Sequence, residues 1–492
     1  VTAVDAPNRV QLITYPDSLG GDIPALVRVL DGEFPGLFPG GVHLLPPFPS
    51  SGDRGFAPTT YDEIDPRWGT WDDVRRLGER APLMVDLMVN HLSARSAEFR
   101  DFQARGLDSP WSGLFIPLDQ VWAGGEPSPG DLERIFLRRP RPWSTYPIGP
   151  SATPTRVWTT FGKADPSEQV DMDWRSPRFR ELVAGILGRF AGRGVRFVRL
   201  DAVGYMVKRA GTACFMVQPE TDELLDWLDR VAGQHGLTLL PEVHARPDVT
   251  AALAARGSLV YDFVLPYRVL EALILGDATR LAAHLAARPS RQVTMLDCHD
   301  GIPVKPDLDG LYSPVDVRRV VDVCAARGGD FSRVMARGHQ DPDGFDVHQI
   351  RGTLYSLLGR DDDAYIAARA IQLFAPGVPQ VYYVGLLAGE NDDAASGATG
   401  DGRELNRHNF TLDEIRDARR RGVVQRLERL IRLRNAHPAF GGGFASSLTG
   451  RGRLRLAWTA GAHACAAEVD VRRPAAAVEL TGPDGARQAF DL

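Results

Sequence analysis

Residues 195–204 read VRFVRLDAVG. An apolar run with the pattern of a buried strand carries Arg199 and Asp201 at its far end. Burying a charge is costly unless it is paired. Either both side chains face solvent where the strand stops, or they are held there for chemistry. Being two residues apart, they share one face of the strand.

Comparable runs recur along the chain: VQLITY (10–15), GVHLLP (41–46), LMVDLMVN (83–90), LTLLPEV (237–243), LVYDFVL (259–265), QVTMLDC (292–298) and VPQVYYV (378–384). With the opening stretch they make eight. Near-continuous apolar strands suit a parallel sheet buried on both faces. Helical patterns at 176–191, 220–235 and 361–373 supply the crossovers. Eight strands alternating with helices predict an α/β chain closed into a (β/α)8 TIM barrel. An open doubly wound sheet is the alternative.

Two gaps exceed what one helix needs. The gap after the third strand includes the Pro/Arg/Trp-rich RRPRPWSTYPIGPSATP (138–154), and the gap after the seventh runs over about 302–360. Loops of this length are functional or small subdomains. The expected division is 1–91, 176–301 and 361–438 for the barrel, with 92–175 and 302–360 as two inserted subdomains. Residues 439–492 form a small C-terminal antiparallel β domain, because RLRLAW and AAVELTG alternate in polarity. The Arg-rich stretch 414–434 reads as helix, and GENDDAASGATGDG (389–402) as a mobile polar loop.

A net charge of -6 gives no basic field to draw nucleic acid or an anionic membrane. No apolar stretch reaches the length of a membrane span. The opening residues VTAVDAPNRV lack a basic segment followed by an apolar one, so no secretion signal is expected. Cys214, Cys298, Cys324 and Cys465 have neither metal-ligand spacing nor a disulfide pattern. These features predict a cytoplasmic protein without metal or cofactor, acting on small molecules as a monomer or homodimer.

Polar residues at the C-terminal ends of barrel strands face a common cleft. Strand three ends with Asp86, Asn90 and His91, and strand four with Arg199 and Asp201. Strand five ends at Glu242 and His244, and strand seven at Asp297, His299 and Asp300. One charged strand end is an ordinary solvated terminus. Four such ends on one face bring like charges together, which shifts pKa values and calls for a chemical reason.

DLMVNH, VRLDAVGY, LPEVH and LDCHDG resemble, in order, the four signature strand ends of the α-amylase superfamily of glycoside hydrolases. The likeness runs from about residue 10 to 440. VQLITYPDSLGG, RLDAVGYMVKRAGTACFM, GVPQVYYVGLLAGENDD and GRELNRHNF narrow it to the sucrose phosphorylase-type branch. The resemblance implies that Asp201 is the nucleophile, Glu242 the general acid/base and Asp300 the stabiliser of an oxocarbenium-like state. Retaining chemistry needs such a set, with two carboxyl groups ~5 Å apart, one ionised and one protonated. Arg199 would keep Asp201 ionised, and an apolar wall or a nearby carboxylate would keep Glu242 protonated. By the same resemblance His91 and His299 bond sugar hydroxyls, and an Asp53–Arg403 ion pair closes the glucosyl subsite. Phe56, Phe161, Gln169 and Tyr205 line that subsite, although Phe56 and Phe161 are equally compatible with core packing.

Three activities stay open on this reading: a phosphorylase, a hydrolase or transglucosidase, and a non-enzymatic barrel. The resemblance favours the phosphorylase. Phosphate in place of water asks for cationic donors, and RIFLRRPRP (134–142) offers Arg139. Acceptor choice would rest on two loops, Phe136-Leu137-Arg138-Arg139 and Asp346-Val347-His348-Gln349, with His244 beside them. Sucrose phosphorylases carry Pro and Tyr where this chain has Arg138 and His348. Branch members that release fructose 6-phosphate carry Arg and His there. The resemblance therefore implies a phosphorylated leaving group.

Overall fold

The computed structural model describes residues 6–289, 291–336, 340 and 345–492. Residues 1–5 of VTAVDAPNRV, and residues 337–339 and 341–344 of the expected 302–360 insert, lie outside them.

The eight expected strands form, each shorter than its apolar run. They are β1 (Gln11–Thr14), β2 (Gly41–Leu44), β3 (Leu83–Met88), β4 (Val195–Asp201), β5 (Thr238–Pro241), β6 (Val260–Asp262), β7 (Gln292–Thr294) and β8 (Val378–Tyr382). One sheet holds them in the order β6-β7-β8-β1-β2-β3-β4-β5. That is the chain's own order, cyclically shifted. First and last strands meet in parallel, Gln11 opposite Gln380 and Ile13 opposite Tyr382. A doubly wound open sheet does not bring its first and last strands together in this way. The chain is a (β/α)8 barrel. Every residue of β1, β2, β3, β5 and β8 is buried, as strands covered on both faces require.

Crossover helices start on clear caps. Ser176 caps Pro177–Gly192, and Asp361 caps Asp362–Phe374 by accepting from the N–H groups of Asp363 and Ala364. Two expectations change. The polar 389–402 stretch contains a helix, Asp393–Thr399, because Asp392 caps it and Gly400 closes it in the left-handed conformation. The Arg-rich stretch is two helices, Leu412–Arg420 and Gly422–Ala436, with the extended Arg421 between them.

Contacts divide the chain into two compact units. The first comprises Leu44–Val243 with Arg333–Asp346. Its long insert after β3 carries a hairpin, Trp143–Ile148 with Thr153–Trp158, and a two-stranded ribbon, His91–Ser93 with Gln169–Asp171. The second comprises Ala6–His43, His244–Ser332 and Val347–Leu492. Within it Ile302–Pro303 pairs with Val347–Arg351. At its end, β9 (Gly443–Leu448), β10 (Arg453–Ala460), β11 (His463–Asp470), β12 (Ala475–Thr481) and β13 (Arg487–Asp491) form an antiparallel meander. Trp458 fastens the meander to the barrel layer by donating its Nε1–H to the Phe374 carbonyl at 2.7 Å. No helix among the described residues is long and apolar enough to cross a membrane.

Candidate active site

In the first unit the charge at the end of β4 is paired three ways. Arg199 is buried, and its Nη1 lies 2.6 Å from Asp86 Oδ1 on β3 and 3.1 Å from Asp201 Oδ1. Its Nη2 lies 2.8 Å from Glu242 Oε1 just after β5. Asp86 and Arg199 are directly opposite in the parallel register of β3 and β4. One guanidinium thus ties three strand ends through their carboxylates, the pairing that makes a buried charge tolerable. Ala202 follows Asp201 in the left-handed region, at φ 54°, and turns its N–H onto Glu242 Oε2 at 3.0 Å. That conformation is uncommon for alanine and costs on the order of 1 kcal/mol. The side chains of Asp201 and Glu242 keep 13% and 10% of their surface accessible, whereas Asp86 keeps none. Two carboxylates are therefore presented and the third supports them. Glu242 shares the Arg199 guanidinium with Asp201, which is the carboxylate neighbour on that side.

The ribbon brings His91 and Gln169 together. His91 Nε2 donates to the Phe56 carbonyl at 2.8 Å, and Gln169 Nε2 donates to the same oxygen at 3.2 Å. Burial lowers the His91 pKa, so its imidazole is neutral. Phe56 lies under the Arg199 guanidinium, 5.8 Å from its carbon to the ring centre. Asp53, Arg54 and Gly55 all take positive φ, which folds this turn tightly. A Cβ at Gly55 would sit 2.5 Å from the Pro46 carbonyl, so only glycine lets the turn close against the end of β2. Phe161 meets Tyr205 edge to face at 5.0 Å and His91 at 5.7 Å. Arg138 extends over Phe161 and donates from Nη1 to Tyr205 Oη at 3.2 Å. Arg139 turns the other way. It is buried and donates to Ser144 Oγ, Thr159 Oγ1 and the Ala164 carbonyl, at 3.0, 2.8 and 2.8 Å. The guanidinium expected to meet phosphate instead braces the insert hairpin.

The second unit holds the other strand-end charges. Asp300 lies 3.5 Å from Arg403 Nη1 and 3.9 Å from Arg407 Nη2. His299 Nε2 is 3.6 Å from Asp300 Oδ2, and the His299 carbonyl accepts from Arg407 Nε at 2.9 Å. Asp297 points elsewhere, into a buried pair with Arg369 at 2.6 Å. His244 stacks on Phe263 with ring centres 3.9 Å apart and shares its Nδ1 with the Asp307 carboxylate at 3.3 Å. His348 meets His244 edge to face at 6.3 Å and donates its Nδ1–H to the Lys305 carbonyl at 2.5 Å. Gln349 is buried beside it, opposite Pro303 in the ladder. Asp346 belongs to the first unit, where its carbonyl accepts from the Val334 N–H at 2.7 Å. Among the described residues no group of three or more His, Cys, Asp or Glu is arranged to hold a metal ion.

The catalytic-domain description of α-amylases matches residues 37–272. The sucrose 6(F)-phosphate phosphorylase of Thermoanaerobacterium thermosaccharolyticum is 50% identical over 97% of this chain and 98% of its own length. The chain belongs to the α-amylase family. Within it, the likeness is to phosphorylases. The crystal structure of sucrose 6F-phosphate phosphorylase from Thermoanaerobacter thermosaccharolyticum superposes with a TM-score of 0.97 at 49% identity, covering 100% of this chain and 99% of that one. The sucrose phosphorylase of Agrobacterium vitis is 43% identical over 92% of both chains.

This α-amylase-family site also contains residues that the motif reading gave no role. Lys208 is buried, pairs with Asp171 at 2.7 Å and donates to Asn90 Oδ1 at 3.0 Å and Thr160 Oγ1 at 3.2 Å. It also bonds the Tyr205 carbonyl. Lys208 thereby ties the turn after β4 to the ribbon that carries His91. The lysine lies inside the quoted stretch RLDAVGYMVKRAGTACFM, but its side-chain partners Asp171, Thr160 and Asn90 are more than thirty residues away. Asp307 and Arg407 were missed for the same reason.

Proposed function

We propose that the chain is a retaining disaccharide phosphorylase. It cleaves sucrose 6'-phosphate with inorganic phosphate to α-D-glucose 1-phosphate and D-fructose 6-phosphate. The observation that carries this reading is the 50% identity, across nearly both whole chains, to a sucrose 6(F)-phosphate phosphorylase. The paired carboxylates suit the chemistry. Asp201 attacks the anomeric carbon and the bond to the fructosyl oxygen breaks, while Glu242 gives that oxygen a proton. Phosphate then attacks the β-glucosyl ester on Asp201 and loses a proton to Glu242, restoring both groups. Two inversions leave the α-configuration unchanged. Arg199 favours the ionised Asp201 that the attack needs. Asp300 stabilises the charge that develops on the sugar ring, and Asp53 with Arg403 closes the glucosyl subsite around His91, His299, Phe56, Phe161, Gln169 and Tyr205. Arg138 and His348 take the phosphate of the leaving group, with His244, Asp346 and Gln349 around the acceptor. The same reading carries a cytoplasmic location and a monomeric or dimeric enzyme.

The deciding experiment measures phosphate-dependent release of glucose 1-phosphate from sucrose 6'-phosphate, sucrose, glucosylglycerol and glucosylglycerate side by side. A clear kcat/KM preference for sucrose 6'-phosphate supports the reading. Equal use of sucrose replaces it with ordinary sucrose phosphorylase, the activity named for the relative from Agrobacterium vitis. Release of free glucose in place of the phosphate ester makes the chain a hydrolase.

A further inference from the structure

Lys208 has a buried setting that needs a reason. Its side chain is 2% exposed, and that of Asp171, 2.7 Å away, is fully buried. A lysine is almost never buried this far without a partner, and the carboxylate supplies one. The ammonium reaches further, to Thr160 Oγ1 at 3.2 Å, to the Tyr205 carbonyl and to Asn90 Oδ1 at 3.0 Å. The contact with Asn90 fixes more than position.

An ammonium has three donors and no acceptor. Asn90 must therefore turn its amide oxygen toward Lys208, which leaves its NH2 group facing His91. That nitrogen lies 3.5 Å from His91 Nδ1. Only an unprotonated Nδ1 can accept from it, so the imidazole proton sits on Nε2. The other edge of the ring demands the same. Nε2 lies 2.8 Å from the Phe56 carbonyl, which can only accept. One constraint set by Lys208 and one set by the backbone agree on a single neutral tautomer.

Charge works in the same direction. Burial disfavours a charged His91 most strongly. Asp171, directly opposite it in the ribbon, and Asp53 in the tight turn favour the charge, and Lys208 opposes it. By pairing with Asp171, Lys208 also offsets the stronger of those two carboxylates. Glycosyl transfer of the proposed kind builds positive charge on the sugar ring, and an imidazolium beside it would oppose that charge. We infer that Lys208 is a positioning residue: acting through Asn90 and Asp171, it holds His91 as the neutral Nε2–H tautomer, so that the glucosyl subsite gains no cation from this side. The effect on turnover rests on the proposed function; the tautomer does not.

Proton–nitrogen correlation spectra of the full-length protein, carrying isotope-labelled histidine, read the tautomer directly, with His91→Gln assigning the signal. The parent is expected to show His91 in the Nε2–H form from about pH 8 down to about pH 5.5. In Lys208→Met the midpoint of the His91 titration should rise by at least about half a pH unit. The acid limb of kcat/KM for α-glucosyl fluoride, a donor without an ionisable group, should move with it. The double variant Lys208→Met/Asp171→Asn removes both charges and should bring the midpoint back toward the parent's. Asn90→Asp keeps the shape of the side chain but gives Nδ1 an acceptor. It should raise the midpoint as well, and it carries the test if Lys208→Met does not fold. An Nδ1–H signal for His91 in the parent overturns the inference. So does a folded Lys208→Met with midpoint and acid limb unchanged, the outcome expected of a lysine that only holds the fold together. An unmoved midpoint in Asn90→Asp overturns it too. The Nε2–H form and the Lys208→Met shift in a protein that transfers no glucosyl group would support the inference and count against the proposed function alone.

Discussion

Arg199 pairs with both outward carboxylates of the first unit. It faces Asp86, Asp201 and Glu242 at 2.6, 3.1 and 2.8 Å, so removing one acid leaves the guanidinium two others. Asp201→Asn should therefore fold while losing the nucleophile. Turnover is expected to fall at least about a thousandfold, on the order of 4 kcal/mol in the barrier. Most of the activity surviving in a folded variant would rule out double displacement through Asp201. On the proposed reading, Arg138 and His348 hold the phosphate of the acceptor. A phosphate monoester bound there gains charge-assisted hydrogen bonds of roughly 1.5–3 kcal/mol each. Arg138→Ala and His348→Tyr should each lower the preference for sucrose 6'-phosphate over sucrose by about tenfold to a hundredfold. Steady-state kinetics on both sugars read this ratio, and activity on sucrose should be kept or improved. An unchanged ratio in both variants would remove these residues from phosphate recognition.

Among the elements, strands were the most legible. Each of the eight apolar runs became a strand, because a run buried on both faces needs no partner to identify it. The polar 389–402 stretch was misread. Its composition resembles a loop, and only the Asp392 cap and the Gly400 stop reveal the helix. Charged strand ends were legible as a set, but not the direction of each side chain. Asp297 lies beside the motif residues His299 and Asp300 yet serves Arg369, and Arg139 lies beside Arg138 yet serves the hairpin. Such assignments depend on contacts across long sequence separations. The helix Tyr383–Leu386 after β8 shows how tight they are. A Cβ at Gly385 would lie 1.9 Å from Arg369 Nη2 and 2.1 Å from Asp297 Oδ2. Gly385→Ala must push this buried pair apart, and breaking such a pair costs about 3–5 kcal/mol. Thermal unfolding should show a large drop in Tm. A midpoint within a degree or so of the parent would mean that the helix shifts freely and that the pair tolerates it.

For the molecule as a whole, the chain-order sheet puts its charged groups at strand ends and on the loops that follow them. One consequence is pH dependence. Burial depresses the pKa of His91 below its ordinary 6.5, and burial does the same to His437. Each stays neutral in the folded chain but takes a proton in the unfolded chain below about pH 6.5. Their contribution is complete above that pH and is lost as pH falls through it. The Tm should therefore decline from pH 7 to pH 5, and His91→Gln should flatten the decline. A decline just as steep in that variant would assign it to other groups. The acceptor loop carries a different kind of consequence. His348 is oriented by the backbone carbonyl of Lys305, which any residue at 305 would supply. Histidine and tyrosine codons differ by a single base, and tyrosine is what the resemblance puts at this place in sucrose phosphorylases. No second substitution is needed to release or restore the imidazole's anchor. On the proposed reading, the gene lies one point mutation from a weaker preference for the phosphorylated sugar, with the barrel inherited intact.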